Sequence, residues 1–436
     1  MKSERHALRA VAVVSVALLA LTACGSDDSS GGSSQSASES VTASNSTSAS
    51  PSGDVPQGDG KLVLGALLPQ TGDLVAEGPP EFAGMAVAVD DINAAGGVLG
   101  QPVTEVLADS GDGTPDIASA QTDKLLDAGS DVIVGASASS VSLSVIDKIT
   151  GAGVVQFSPA NTSPAFDTYD DGGLYFRTAP SDILQGEVLA NLVVEDGASN
   201  VAILARQDSY GEGLADQVEK VVQEKGAKVA AKVLYSADAT NFSAEVNKIA
   251  ASKPDALVLI SFDETKKILP QLIAKTVGPQ DIKTYFVDGN TVNYGDEFPP
   301  GTLEGVKATY PAPPELDPSF KEKLLAKDPK LKGFTYAPQA YDTVVISALA
   351  AEAAGSDNSG AIASEIVDVS REGTKCSTFE DCLALIKQGE DIDYEGLSGP
   401  CDMNDSGSPS KATIGIQLFD GKNNYSQIDA VTGVLN

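Results

Sequence analysis

The stretch Gly135-Ala-Ser-Ala-Ser-Ser140 follows the apolar run Val132-Ile133-Val134 and precedes Val141, Leu143, Val145 and Ile146 at helical spacing. A strand therefore turns into a helix around Ser139 and Ser140, and the amides of a helix N-terminus attract an anion such as a carboxylate. Serine also caps helices where no ligand is present, and on this turn alone that alternative stays open. The only histidine is His6, close to the N-terminus, so the commonest general base and metal ligand is missing from the body of the chain. There is no Gly-x-Ser-x-Gly turn and no phosphate loop, and no pair of acids stands out for hydrolysis. No catalytic residue, metal site or cofactor is assigned, and a hydrolase is the least favoured reading. Cys376, Cys382 and Cys401 lack zinc spacing, and three cysteines allow three pairings; the short Cys376 to Cys382 loop is the expected disulfide, leaving Cys401 free.

Met1 to Arg9 carries Lys2, Arg5 and Arg9, and Ala10 to Leu21 is almost wholly apolar. That run is shorter than the roughly 20 residues a membrane-spanning helix takes, and it ends in Leu21-Thr22-Ala23-Cys24-Gly25. Basic start, apolar centre and small residues before a cysteine read as a lipoprotein signal over residues 1–23, with Cys24 as the lipidated anchor. Thirteen of the twenty-seven residues from Ser26 to Ser52 are serine, so no apolar face offsets the entropy of ordering them. Residues 24–60 therefore read as a linker, and the expected location is the outer face of the cell membrane. The chain has a formal charge of −32; removing the first 23 residues, whose three basic and one acidic side chains are a net +2, leaves −34. Nucleic acid is excluded as a partner on that balance.

From Lys61 onward, apolar runs of strand length alternate with helical patterns, the mark of βα units around parallel sheets. Leu62 to Leu68 reads as a buried strand, after which Phe82, Met85, Val89 and Ile92 share a helix face that stops at Gly96-Gly97. A second series opens at Val201-Ala-Ile-Leu204 and continues through Leu214, Val218 and Val221. The expected fold class is α/β, with two doubly wound parallel-sheet lobes, and such sheets bind ligands beyond the carboxyl ends of their strands.

Six segments occur in order: Gly65-Ala-Leu-Leu-Pro-Gln-Thr-Gly72, Asp90-Asp-Ile-Asn-Ala-Ala-Gly-Gly97, Ser158-Pro-Ala-Asn-Thr-Ser-Pro164, Phe176-Arg-Thr-Ala-Pro180, Tyr210-Gly-Glu-Gly213 and Asp238-Ala-Thr-Asn-Phe-Ser243. With them the chain resembles the leucine/isoleucine/valine-binding family of solute-binding proteins of ABC transporters, as an actinobacterial-type lipoprotein. The resemblance implies a type I periplasmic-binding-protein fold, with lobe 1 in residues 61–179 and 310–399 and lobe 2 in 180–309 and 400–436. A three-strand hinge joins them. It further implies a monomer without enzymatic activity that captures an amino acid or amino-acid-like molecule by hinge closure and delivers it to the permease subunits of an importer.

The same resemblance places a ligand carboxylate at Ser139 and Ser140 and at the loop carrying Asn161 and Thr162. It offers Asp288, in Phe286-Val-Asp-Gly289, to an α-ammonium, with Tyr210, Phe262 and Tyr341 as an aromatic wall. One position departs from the family: its first loop presents an aromatic residue to the ligand, and that place here is held by Glu77, followed by Gly78-Pro79-Pro80. An acidic wall favours a polar or cationic ligand over leucine. The rival reading is a ligand-sensing receptor for a separate membrane signalling partner, which would use the same closed form.

Overall fold

The computed structural model describes residues 58–111, 117–295, 297–313 and 315–435. The expected signal, Cys24 and the linker up to residue 57 lie outside them. Val63–Leu68 (β1) is an uncharged Val, Leu, Gly and Ala run, buried at five of its six positions, as a strand covered on both faces must be. It is followed by Gly78–Ala94 (α1), Thr104–Asp109 (β2), Ala118–Asp127 (α2), Val132–Gly135 (β3), Ser139–Gly151 (α3), Val155–Ser158 (β4) and Tyr175–Arg177 (β5). Their sheet has the order β2-β1-β3-β4-β5 and is parallel throughout. Val132, Ile133 and Val134 are fully buried in it, each stabilising the fold by about 1.5–3 kcal/mol relative to exposure.

The second series comprises Asp182–Glu195 (α4), Asn200–Arg206 (β6), Ser209–Glu224 (α5), Lys228–Tyr235 (β7), Ser243–Ala251 (α6), Ala256–Ile260 (β8), Thr265–Ala274 (α7), Lys283–Phe286 (β9) and Lys307–Pro311 (β10). The chain then returns to the first sheet with Pro318–Lys327 (α8) and Ala337–Ala354 (α9), and adds a short parallel pair, Thr374–Cys376 (β11) and Ile392–Tyr394 (β12). It ends in Lys411–Phe419 (β13) and Tyr425–Val434 (β14), antiparallel strands that complete a sheet ordered β14-β13-β10-β9-β8-β6-β7. Helix α9 is rich in Ala, Val and Ile on every face and is buried almost throughout, packed with β1, β3 and α1 in one core. A second apolar cluster runs from Ile133 and Val145 to Leu214 and Val258, so the two series touch directly.

Three passages connect the sheets, and all three are tied to the first turns of α9. The Thr178 hydroxyl meets the Gln339 carbonyl at 3.0 Å and the Thr343 hydroxyl at 2.9 Å, while Gln339 Nε2 donates to the Pro311 carbonyl at 3.2 Å. Buried Asp342 accepts from the Tyr394 hydroxyl at 2.8 Å and from the Leu397 and Ser398 amides at 2.9 and 2.7 Å, holding the start of the third passage. β10 runs to Pro311 in the second sheet, and Cys401 and Met403 pack with the first core. These two passages thus fall slightly later in the chain than residues 309/310 and 399/400. Cys376 and Cys382 are joined, with 5.3 Å between their Cα atoms, and the Cys401 thiol is free and buried.

Candidate functional site

The carboxyl ends of the two sheets face each other, and hydrogen bonds run between them. The Ser163 hydroxyl donates to the Ser209 carbonyl at 2.8 Å, the Asp263 amide to the Asp73 carbonyl at 3.2 Å, and the Tyr336 hydroxyl to Asp288 at 2.7 Å. On the first side, β3 ends at Gly135, whose φ is +122° and where a Cβ would stand 2.1 Å from the Leu67 carbonyl oxygen. Only glycine permits that exit from the sheet. Helix α3 then starts at Ser139 behind Ala138, an N-cap whose own side chain makes no cap hydrogen bond, and the amides of its first turn carry the positive end of the helix dipole.

On the second side, β9 delivers Asp288 into a single 3-10 turn, Asp288–Asn290. Its Oδ1 accepts from Gln185 Nε2 at 2.9 Å and from the Tyr210 hydroxyl at 2.5 Å, and its Oδ2 from Tyr336. Gln185 lies in α4, Tyr210 in the first turn of α5, and Tyr336 immediately before α9. Asp288 is 5% exposed. Burial raises its pKa, and the bonds from Tyr210, Tyr336 and Gln185 oppose that rise. Burial and then the Asp288 charge push both tyrosines upward, so they keep their protons and serve as donors. Tyr210 stacks on Phe262 with 5.4 Å between ring centres. The Arg206 guanidinium, paired with Asp208 and Glu264, lies 3.8 Å from the centre of the Phe262 ring.

Three further carboxyl groups crowd this place. Glu77, just before α1, is 6% exposed, and Glu81 and Asp182 are fully buried. The Ser137 hydroxyl donates to Glu81 Oε2 at 2.5 Å, and the Thr162 hydroxyl to Asp182 Oδ2 at 2.9 Å. Glu81 Oε1 and Asp182 Oδ1 have no partner among the described residues. Burial raises Glu77 well above the ordinary carboxylate range, with Glu81 and Asp288 adding to the rise. Burial lifts Glu81 to about 8 against the pull of its Ser137 bond. Asp182 is raised by burial and then by Asp288. Of the neighbouring cations, Arg177 pairs with Asp167, Arg206 as above, and Lys266 with Asp263 and Glu297, while Lys330 and Lys332 line a cavity together with Glu77.

Of the residues expected from the sequence, Glu77, Tyr210, Phe262 and Asp288 come together here. Ser139 is buried and its hydroxyl accepts from the Ser163 amide at 3.2 Å; Ser140 follows it in the first turn of α3. The side chains of Asn161 and Thr162 do not offer themselves to a carboxylate. Asn161 Nδ2 donates to the carbonyls of Ala136 and Ser137 at 2.9 and 2.7 Å, its Oδ1 accepts from the Tyr175 hydroxyl at 2.9 Å, and Thr162 is spent on Asp182. Both hold the turn in shape. Tyr341 also lies elsewhere: its hydroxyl donates to Asp91 at 3.1 Å and its ring packs edge-on against Phe320. The tyrosine that reaches Asp288 from α9 is Tyr336, one turn earlier. Sequence reasoning missed it, together with Gln185, Glu81 and Asp182. Its signal was its place beside Ala337-Pro338 at a helix start, since helix starts in doubly wound sheets gather at the ligand edge.

Glu77 lines a cavity of about 410 Å³ shared by Pro79 and Pro80 on one side and Asp263, Thr291 and Tyr294 on the other. A larger cavity of about 750 Å³ flanks Tyr310, Gln417 and Tyr425 and takes in only Tyr336 from the group around Asp288. Of the buried acids described above only Glu77 borders the smaller cavity, and Asp288, Tyr210 and Phe262 border neither.

Two parallel-sheet lobes, linked by three passages of chain and meeting at strand ends that carry carboxylates and aromatic faces, define a two-lobed binding protein. The chain belongs to the periplasmic binding protein family, whose profile matches residues 61–409. It is 29% identical over 322 residues to the leucine-, isoleucine-, valine-, threonine- and alanine-binding protein of Pseudomonas aeruginosa, covering 72% of this chain and 81% of that one. Leu/Ile/Val-binding protein homolog 2 of Brucella abortus is 28% identical over 303 residues, covering 68% and 80%. Among solved structures, the branched-chain amino acid transporter substrate-binding protein LivJ of Streptococcus pneumoniae, in complex with isoleucine, matches with a TM-score of 0.70 at 22% identity, covering 86% of this chain and 99% of that one. An ABC transporter solute-binding protein of R. palustris in complex with 4-hydroxybenzoate matches with a TM-score of 0.71 at 16% identity, covering 85% and 97%. These structures share the α/β fold of parallel-sheet lobes.

Proposed function

We propose that this chain is an exported solute-binding lipoprotein, anchored through Cys24, that captures an amino acid or amino-acid-like molecule between its lobes and hands it to the permease of an ABC importer. Asp288 carries the reading. It is a buried carboxylate at the end of a second-lobe strand, hydrogen-bonded by Tyr210 of its own lobe and by Tyr336 of the other. A ligand ammonium set on Asp288 gains a charge-assisted bond, and the stacked rings of Tyr210 and Phe262 supply a face for it. Ser139 and Ser140 bring the α3 N-terminus to the ligand carboxylate.

The lobes are residues 61–179 with 310–399, and 180–309 with 400–436, give or take the few residues by which the passages run late. Only the closed form touches ligand from both sides, so binding shifts the hinge toward closure. The amino acids named for the relatives of Pseudomonas aeruginosa and Brucella abortus support the ligand class. Mass spectrometry of small molecules released on denaturing the purified lipoprotein tests the proposal. An amino acid, amide or amino-acid-like carboxylate is expected; release of a sugar or nucleotide in its place would refute the ligand class.

A further inference from the structure

We infer that Arg206 is a positioning residue for ligand binding: fully buried at the end of β6, it holds Tyr210 and Phe262 in the stack that flanks Asp288. This rests on the reading above, that an amino acid occupies the cleft with its ammonium on Asp288 and against those rings. The guanidinium reaches the rings by three routes. Its Nε donates to Asp208 Oδ2 at 2.6 Å, and the other oxygen of Asp208 accepts from the Gly211 amide at 2.8 Å, capping α5 one residue beyond Tyr210. Its Nη1 donates to Glu264 Oε1 at 2.5 Å, and the other oxygen of Glu264 accepts from the amide of Phe262 itself at 2.8 Å. Its central carbon lies over the Phe262 ring, 3.8 Å from the centre.

Each carboxylate thus bridges the guanidinium to a backbone amide beside one of the two rings. A planar fork with donors on separate nitrogens can span both carboxylates while meeting an aromatic face, whereas a lysine ammonium is a point charge on a flexible stem. The backbone is fitted to the arginine: at Gly211 a Cβ would stand 2.2 Å from the Arg206 carbonyl oxygen and 2.7 Å from its Cγ, so the first turn of α5 sits directly on it. Stability alone does not account for this arrangement. The attraction within a buried ion pair only partly offsets the loss of water, and Nη2 has no hydrogen-bond partner among the described residues. An apolar side chain would fill the place without that penalty, but it would anchor neither amide and would leave unfixed the point where the Tyr210 hydroxyl meets Asp288.

Calorimetric titration of the unaltered lipoprotein with the common L-amino acids identifies the tightest binder, which then serves as the probe. Arg206→Lys, which keeps the charge and loses the fork, is expected to weaken binding of the probe by about tenfold. In a Phe262→Leu background, where the ring it sets is gone, the same substitution should weaken binding by less than about threefold. An ion pair that merely supports the fold would cost the same in both backgrounds or nothing in either, and each of those results would overturn the inference. Should Arg206→Lys not fold, Glu264→Gln takes its place with the same expectations, since it discharges the pair and keeps an acceptor for the Phe262 amide. An amino acid that binds and needs Asp288 but is indifferent to Arg206 removes this inference and leaves the amino-acid reading standing; if no amino acid binds at all, both fall.

Discussion

Tyr336 and Asp288 come from opposite lobes and are joined by a hydrogen bond of 2.7 Å from the tyrosine hydroxyl to the carboxylate Oδ2. Because the bond crosses the cleft, it exists only while the lobes are together. Tyr336 therefore helps set the closed state and holds the carboxylate in the orientation a ligand ammonium meets. Tyr336→Phe removes the donor and keeps the ring. A lost hydrogen bond to a charged group costs about 1.5–3 kcal/mol, so ligand affinity should fall by roughly ten- to a hundredfold. Unchanged affinity by calorimetry would show that the hydroxyl has no part in closure.

Burial of Glu81 gives the ligand-free protein a pH signature. Its carboxyl titrates at about 8 when folded, against 4.5 for the unperturbed group. The native state therefore binds more protons than the unfolded one between those values. Stability is full below about 4.5 and is lost as pH rises through about 8, on the order of a few kcal/mol in all. Facing Glu81 are the Ser137 hydroxyl and, at the N-cap of its own helix, Glu77, which Asp288 also faces. Asp131, raised to about 7 by burial and by Asp357 and Asp59, contributes in the same window. The comparison with Glu81→Gln isolates Glu81: the melting temperature of the variant should fall less between pH 5.5 and 8.5 than that of the unaltered protein. Parallel curves would contradict a buried, neutral Glu81.

Two glycines that shape the site should respond differently to alanine. At Gly289 a Cβ would come within 2.5 Å of the Phe262 ring, a side chain able to shift. Overpacking of that kind costs about 1–3 kcal/mol. At Gly135 the obstacle is the Leu67 carbonyl at 2.1 Å, part of the interior strand β1, and the φ of +122° adds strain for any other residue. Denaturant unfolding should show Gly135→Ala to be the more damaging of the two, and the reverse order would mean that β1 yields more easily than an aromatic side chain.

The alternation of strands and helices was legible because strands buried on both faces must be written as uncharged runs, as in Val63–Leu68 and Ala256–Ile260. Asp288 and Tyr210 were legible because each directly follows such a run or opens the helix after it. Tyr341 misled because, one turn further along α9 than Tyr336, it points to Phe320 and Asp91 on the first lobe's own helices. Asn161 and Thr162 misled for another reason: polar residues at a tight turn are consumed by the turn's own carbonyls and by Asp182 before any ligand arrives. Gln185 and Asp182 lie on α4, where nothing in local sequence distinguishes a cleft-facing polar residue from a surface one.

The central claim is that Asp288 holds the ammonium of an amino acid between the lobes, and its most direct test is the melting temperature of the lipoprotein and of Asp288→Asn with and without amino acids. A ligand at 100 times its dissociation constant stabilises the fold by about 2.7 kcal/mol. The unaltered protein should show that rise with at least one amino acid, and Asp288→Asn, which retains one carboxylate-like oxygen for its donors, should melt near the same ligand-free temperature but lose the rise. A variant that keeps its full ligand-induced shift, or an unaltered protein that responds to no amino acid, would contradict the account.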